Sequence, residues 1–312
     1  MEKQGIRPSI YHSLDDCRAH MRIMTDFYYD VIFATSSKPV TSCAINDART
    51  WMQMMFSKGV HFYNALSGIE YAKGLRHLNQ ITDHTILFSL VRDMFESYVV
   101  FRIIYSLPQT DDQRQILYYL YCHAGLQEHF DNIGSELKEK NTEWKEELLQ
   151  QMEVCRKYIF DTKLYKQEER VRRVVDNALK SKVNKYRYYF DTEGNMQFVK
   201  FETPETLEIL QINSSFFDGI YHYFSQMTHP SYKALEQFSI AYKDVNNGSI
   251  MLASTATLYA ITILSLFIRE YELLFPEVRT LFCMQSLVVQ RKIALFGDIV
   301  IKEAHRRKNI KA

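Results

Sequence analysis

Two groups of polar side chains interrupt otherwise apolar segments, and the spacing within each group places it on one face of a helix. In "LVRDMFESYVVFRIIYSL", Arg92 and Glu96 are four residues apart. In "YHYFSQMTHPSY", Tyr221, Ser225 and His229 follow at intervals of four. An arginine stabilises phosphate charge, a histidine transfers protons near neutral pH, and a carboxylate can orient either one. The two groups therefore supply the residue types for metal-independent phosphate chemistry.

The same residues also fit a structural role, and the sequence leaves both interpretations open. An exposed Arg–Glu pair at this spacing contributes only about 0.3–0.5 kcal/mol. The helix around Arg92 and Glu96 is strongly apolar, however, so we expect both side chains to be at least partly buried. A buried pair is seldom retained for stability alone, because desolvation offsets much of the attraction. His229 directly precedes Pro230, and a histidine at a helix end more often caps or packs than catalyses.

Composition and periodicity predict the fold that must position these residues. Only 10 glycines and 6 prolines occur among 312 residues, which disfavours the many turns of a strand-rich fold. We predict an all-α fold: a bundle of long antiparallel helices with a charged helical insertion and one small β-hairpin. The predicted helices span residues 13–34, 45–72, 78–106, 111–136, 142–160, 166–183, 205–229, 252–274 and 277–304.

The predicted organisation has three parts. Residues 1–137 form the N-terminal helical part of the bundle, 138–203 the insertion, and 204–312 the C-terminal helical part of the same bundle. Within the insertion, "YRYYFDTEGNMQFVKF" alternates aromatic residues on both sides of "TEGN", which indicates a β-hairpin over residues 186–201. Residues 231–249 are predicted to be a loop with a short helical turn.

Charge is balanced over the whole chain but not along it. The net formal charge of +1 creates no global field that would attract nucleic acid. Residues 163–187 nevertheless contain nine basic and three acidic residues. Such a run is either the solvated face of a helix or a surface that binds phosphates, and RNA is the partner expected in the second case. The expected contacts to RNA are Arg170, Arg172, Arg173, Lys180 and Lys182. A homodimer contact, or another protein partner, is the other expectation.

One uncharged segment of 19 residues, 250–268, qualifies by length and hydropathy as a membrane span. The alternative is the central buried helix of a bundle. Its serines and threonines suit that alternative because their hydroxyls can bond to helical carbonyls. We therefore predict a buried helix and no membrane association.

Other features favour a cytoplasmic protein without a cofactor or metal. The five cysteines are scattered and form no CxxC pair, which indicates a reducing compartment. The N-terminal stretch "MEKQGIRPSIYHSLDD" lacks the apolar core of a signal peptide. No P-loop, GxGxxG or HExxH motif occurs. His123 and His129 lie near Glu128 but six residues apart, so they do not share a helical face.

The segments around Arg92 and His229 resemble an all-helical bacterial family known as domain of unknown function 5677. Its members pair an Arg-x-x-x-Glu helix with a later helix that ends in a Ser-x-x-x-His pattern. The resemblance covers roughly residues 70–110 and 205–275 and implies an all-α fold with no established activity. It carries over to Arg92 and Glu96 on one helix and to Tyr221, Ser225 and His229 on the other.

A looser resemblance is to HEPN-type helical proteins, many of which are metal-independent ribonucleases. Their signature is an arginine and a later histidine on one helix, with four to six residues between them. No arginine precedes His229 at that spacing. The pair Arg7 and His12 matches formally, but it encloses Pro8 and precedes the first predicted helix. HEPN-like catalysis would therefore require Arg92 to reach the site from its own helix.

Two functions follow from these observations. The first is a nucleic-acid-directed protein that binds or cleaves RNA without metal. In it His229 is the general acid or base, Arg92 stabilises phosphate charge, and Glu96 orients one of them. The second is a non-catalytic helical protein-interaction module in which the Arg/Glu/His network is structural.

Overall fold

The computed structural model of the protein describes residues 10–132, 142–181, 187–199, 204–210, 212, 217, 220–229, 231–243 and 248–311. Helices α1 to α5 span Leu14–Ser36, Cys43–Ala65, His84–Phe101, Asp111–Asn132 and Thr142–Phe160. Helices α6 to α10 span Lys163–Gln167, Glu169–Lys180, Pro204–Ile209, Ile220–Thr228 and Tyr232–Lys243. Helices α11 to α13 span Gly248–Leu274, Glu277–Met284 and Leu287–Lys311. Strands β1 to β4 span Ile69–Lys73, Arg76–Ile81, Tyr188–Phe190 and Met196–Phe198. The predicted all-α class is confirmed.

Several helices begin at side-chain caps that the sequence indicates. The Ser13 hydroxyl accepts a hydrogen bond from the Asp16 amide at 3.0 Å. The Thr110 hydroxyl accepts one from the Gln113 amide at 3.2 Å. Each cap satisfies an amide that has no partner within the first turn of its helix. The predicted starts of α1 and α4 are therefore confirmed to within one residue.

A hairpin at residues 69–81 corrects the prediction of two helices, 45–72 and 78–106, in this region. Helix α2 ends at Ala65, and Gly68 follows with a φ of 69°. Strands β1 and β2 pair antiparallel, and Lys73 lies opposite Arg76 across the turn residues Gly74 and Leu75. Gly74 has a φ of 62°, in the left-handed region that glycine adopts readily in hairpin turns. The turn lacks the Asn-Gly or Asp-Gly pair that marks hairpins most clearly in sequence.

The hairpin predicted at residues 186–201 is present as β3 and β4. Phe190 pairs with Met196, and both are buried. The Asp191 carboxylate accepts hydrogen bonds from the amides of Glu193 and Asn195, and Gly194 has a φ of 81°. The hairpin packs on α4 and α7, as a lone two-stranded sheet requires.

The C-terminal half differs from the prediction in three places. The single helix predicted at 205–229 is replaced by α8 and α9, which are separate. The loop predicted at 231–249 contains the 12-residue helix α10. The Ser231 hydroxyl caps that helix by accepting from the Ala234 amide at 3.1 Å. The helix predicted at 277–304 is interrupted at Gln285 and Ser286, between α12 and α13. Capping by Ser231 explains the start of α10, where periodicity alone suggested a loop.

The chain divides into two compact units. Unit 1 comprises Met1–Tyr98 and Gln211–Ala312, and unit 2 comprises Val99–Leu210. Unit 2 therefore extends beyond the predicted insertion, 138–203, and also includes α4. Within unit 2, α4 packs on α5, where the rings of Tyr119 and Tyr158 stack with centroids 4.5 Å apart.

Helix α11 forms the core of unit 1. Among the described residues it is the one helix long and apolar enough to cross a membrane, and 78% of its most apolar 18-residue window is buried. The Tyr28 hydroxyl of α1 donates to the Leu264 carbonyl at 2.8 Å. The hydroxyls of Thr257 and Thr262 donate to carbonyls one turn earlier, each at 2.7 Å. Most of residues 250–268 are thus buried, as expected, while the absence of membrane association stays a prediction.

Candidate functional site

Arg92 and Glu96 form an ion pair on one face of α3. The Arg92 Nε donates to the Glu96 Oε1 at 2.9 Å, with the two side chains 23% and 38% exposed. One turn earlier, the Ser89 hydroxyl donates to the Thr85 carbonyl at 2.6 Å. The pair lies at the edge of the protein, neither fully solvated nor enclosed. The contribution of this ion pair to the free energy of unfolding is therefore expected to exceed that of a fully exposed pair only slightly.

His229 lies in the turn that follows α9, and its side chain is exposed. Its amide donates to the Ser225 carbonyl at 3.1 Å, and its carbonyl accepts from the Ser231 amide at 2.7 Å. The Ser231 hydroxyl donates to the Gln226 carbonyl at 2.7 Å. These bonds satisfy carbonyls at the end of α9 without the imidazole. Ser225 is half-buried, while the side chain of Tyr221 lies outside the described residues.

Aromatic contacts between α3 and the segment that leads into α9 set the register of the two predicted groups. The ring of Phe88 contacts the ring of Phe224 at 5.5 Å. The ring of Phe95 contacts the ring of Phe217 at 5.3 Å. Phe95 is seven residues after Phe88, whereas Phe217 is seven residues before Phe224. The two segments therefore run antiparallel, and Arg92 lies at the level of residue 220.

This register places residue 221, and not His229, close to the level of Arg92. His229 is nine residues beyond the level of Arg92, which corresponds to about 13 Å along a helix axis. At that position it lies level with Asp83, at the start of α3. A single cleft shared by Arg92, Glu96 and His229 stays a prediction, and the register argues against direct contact between Arg92 and His229.

His84, the first residue of α3, is a buried histidine that no spacing pattern singles out. It is 3% exposed, and neither ring nitrogen has a hydrogen-bond partner among the described residues. Burial lowers the pKa of His84 to about 4, and the neighbouring Asp83 only partly opposes this shift. The imidazole is therefore neutral near pH 7. Sequence analysis missed it because it stands alone at a helix start, without a polar companion at helical spacing.

A second buried histidine, His20, links α1 to α13. Its Nε2 lies 2.7 Å from the Lys292 carbonyl and its Nδ1 lies 2.8 Å from the Tyr11 hydroxyl. Because a carbonyl can only accept, Nε2 carries the proton and Nδ1 accepts from Tyr11. Burial lowers the pKa of His20 and raises the pKa of Tyr11. Both ring nitrogens are satisfied, so this network is structural.

The histidines of α4 take part in packing. Arg156 Nε donates to His123 Nε2 at 3.2 Å, and His123 is fully buried. The ring of His129 packs edge-on against Trp144 at 5.2 Å. Over the ranges that the structure describes, no three His, Cys, Asp or Glu side chains are close enough to hold a metal ion.

The basic residues of the insertion lie on the solvent-facing part of α7. Val171, Val175 and Ala178 are buried and anchor that helix in unit 2. The cations predicted to contact RNA are exposed, namely Arg170, Arg172, Arg173 and Lys180. Arg173 forms an ion pair with Glu169. Among the described residues, the other three have no carboxylate within ion-pair distance. Lys182 lies outside the described residues.

Comparison with known proteins gives no match to a family model, to a curated protein or to a solved structure.

Proposed function

We propose that the chain is a non-catalytic helical module that binds RNA through the exposed cations of α7. The observation that carries this proposal is that Arg170, Arg172 and Lys180 are exposed and lack an acidic partner among the described residues. Cations of this kind bind a phosphate backbone by releasing the counterions condensed on it. The buried side chains of Val171 and Val175 anchor α7, the helix that carries these cations.

The register of α3 and α9 supports a binding function rather than cleavage. General acid–base catalysis needs the histidine and the charge-stabilising arginine around one phosphate. The Arg92 guanidinium is already paired with Glu96, and the level of His229 is about two and a half turns away. The Arg92–Glu96 pair is better explained as part of the helix surface.

Binding of a labelled single-stranded RNA, followed by fluorescence anisotropy over a series of salt concentrations, tests the proposal. The variant carries Arg170→Glu, Arg172→Glu and Arg173→Glu. We expect it to lose at least about tenfold in affinity at low salt, with a shallower dependence of log Kd on log salt, because each lost phosphate contact lowers that slope by about 0.7 for a single strand.

A matched control reverses three exposed cations of unit 1, with Arg22→Glu, Lys233→Glu and Arg279→Glu. This control changes the net charge by the same amount as the α7 variant but leaves α7 intact. Its affinity for RNA should therefore fall far less than that of the α7 variant. Equal losses in the two variants would show that net charge, not α7, attracts the RNA. No binding by the wild-type protein at low salt would reject the RNA proposal and favour a module that binds another protein.

Metal-independent cleavage is the second candidate, and the exposure of His229 favours it because an exposed imidazole is accessible to a substrate. The RNA is incubated with wild-type protein and with His229→Ala in the presence of a chelator. If the module is non-catalytic, neither protein cleaves. Cleavage by the wild type that disappears in His229→Ala would replace the non-catalytic proposal.

A further inference from the structure

Over residues 287–301, whose side chains the structure describes, helix α13 has two apolar faces, and only one of them is covered. The inner face carries Ile293, Phe296 and Val300, all buried where α13 packs on α1 and α11. The outer face carries Val288, Leu295 and Ile299, which are 66%, 48% and 41% exposed. Spacings of seven and four residues place these three on one stripe, about a third of a turn around the helix from the buried face.

The exposed apolar surface continues into the turn before α13. Met284 at the end of α12 is 76% exposed, and Leu287 at the start of α13 is 73% exposed. Isolated exposed apolar residues are common on protein surfaces, whereas several of them along one side of a helix mark an interaction site. A second helix laid along α13 would cover this stripe.

Charged residues beside the stripe indicate what covers it. Arg291 and Asp298 are seven residues apart, so they lie on the same edge of α13. Arg291 is exposed and has no acidic partner among the described residues. Asp298 is 40% exposed and paired with Arg269 of α11. A carboxylate has lone pairs for more than one cation, so Asp298 can accept a second.

We propose that the outer face of α13 is a homodimer interface in which two copies of the helix pair antiparallel about a twofold axis near Leu295. In an antiparallel helix pair, residues on the same edge lie beside each other. The axis therefore places Arg291 of each copy beside Asp298 of the other, so the ion pair forms twice. Leu295 packs against its own symmetry mate, and Val288 and Ile299 extend the apolar contact on either side of the axis.

The twofold arrangement favours a second copy over an unrelated partner. An isologous interface requires one surface to be complementary to itself. The stripe meets this condition because its opposite charges lie at about equal distances on either side of Leu295. This inference is independent of RNA binding, which concerns α7 in unit 2.

Sedimentation equilibrium and light scattering over a range of protein concentrations test the dimer. The wild-type protein is expected to dimerise, and Leu295→Asp to raise the dimer Kd more than about tenfold by placing two like charges at the axis. Leu149→Asp is the matched control, since Leu149 on α5 is 45% exposed. A wild-type monomer at all concentrations, or a Leu295→Asp dimer of unchanged Kd, overturns the proposal.

A charge exchange tests the orientation of the two helices. Arg291→Asp alone should weaken the dimer, and Arg291→Asp combined with Asp298→Arg should restore much of the affinity. Circular dichroism checks that the variants remain folded. A double variant no tighter than Arg291→Asp overturns the antiparallel pairing.

Cross-linking locates the axis. In a background in which the exposed cysteines Cys43 and Cys283 are replaced by serine, Leu295→Cys should give a disulfide-linked dimer under mild copper-catalysed oxidation. Leu149→Cys in the same background is the control. Equal cross-linking of the two variants, or none at Leu295→Cys, contradicts an axis at that residue.

Discussion

The ring of Phe88 on α3 stacks on the ring of Phe224 on α9, with centroids 5.5 Å apart and planes at 29° to each other. Both rings are buried, and Phe224 also contacts Tyr259 of the core helix α11 at 5.4 Å. This contact connects the helix that carries Arg92 to the helix that ends at His229. It therefore determines which predicted site residues can meet.

The first prediction compares the effects on stability of replacing Phe88 and of replacing His229. Phe88→Ala should lower the free energy of unfolding by about 3–5 kcal/mol, because it opens a cavity beside Phe224. His229→Ala should change it by no more than about 0.5 kcal/mol, since the imidazole is exposed. Urea unfolding measures both. Phe33→Ala, at a residue that is 76% exposed, serves as the aromatic control. A loss of more than about 2 kcal/mol for His229→Ala would indicate that its ring is engaged after all.

The second prediction concerns the Arg92–Glu96 pair. A double-mutant cycle with Arg92→Ala and Glu96→Ala should give a coupling free energy of about 0.3–1 kcal/mol, because water screens both side chains. The pair Arg22 and Asp26 on α1 has the same spacing but is 62% and 58% exposed, so its coupling should be no larger. A coupling free energy above about 3 kcal/mol between Arg92 and Glu96 would indicate a buried pair and support a functional role for it.

The features of the fold that local sequence patterns encode were predictable. The hydroxyls of Ser13 and Thr110 marked helix starts because capping is a short-range interaction between a side chain and amides two or three residues away. The hairpin β3–β4 was also predictable, since its aromatic residues alternate around a glycine-containing turn. The burial of most of residues 250–268 in α11 followed from the length, lack of charge and hydroxyl content of that segment.

The remaining features depend on packing between distant segments. The hairpin β1–β2 has five exposed residues in its first strand and a less distinctive turn, so its pattern competes with helical periodicity. The neutral, buried state of His84 depends on its surroundings in the folded chain. Likewise, spacing within a helix placed Arg92 beside Glu96 but could not give the antiparallel register that puts His229 further along α3.

The third prediction is a pH dependence caused by His84. Its folded pKa is lowered to about 4, whereas the ordinary value is 6.5. As the pH falls below 6.5, the unfolded chain takes up a proton that the folded protein excludes until about pH 4. Stability is therefore lost through this window, at up to about 1.4 kcal/mol per pH unit from this residue.

His84→Leu should remove that dependence while keeping the site apolar. Urea unfolding at pH 7, 6 and 5 should show the variant gaining stability relative to the wild type at each step down in pH. His61→Leu is the control, because His61 is exposed on α2. The lowered pKa of His20 contributes in the same direction, but it is present in all three proteins. Parallel pH profiles for the wild type and His84→Leu would contradict a neutral buried His84.

The fourth prediction contrasts two helical glycines. At Gly297 on α13, a Cβ would lie 2.5 Å from the Ser265 hydroxyl and 3.3 Å from the Ser265 Cβ of α11. Gly297→Ala should therefore cost about 1–3 kcal/mol by forcing α13 away from α11. At Gly125 on α4, a Cβ would meet nothing within 4 Å, so Gly125→Ala should stabilise by about 0.5–1 kcal/mol through helix propensity. Adding Ser265→Ala to Gly297→Ala removes the closest atom and should recover part of the loss. Thermal and urea unfolding of the wild type and these three variants measure the differences, and a stabilised Gly297→Ala would mean that α13 and α11 are not in close contact at this point.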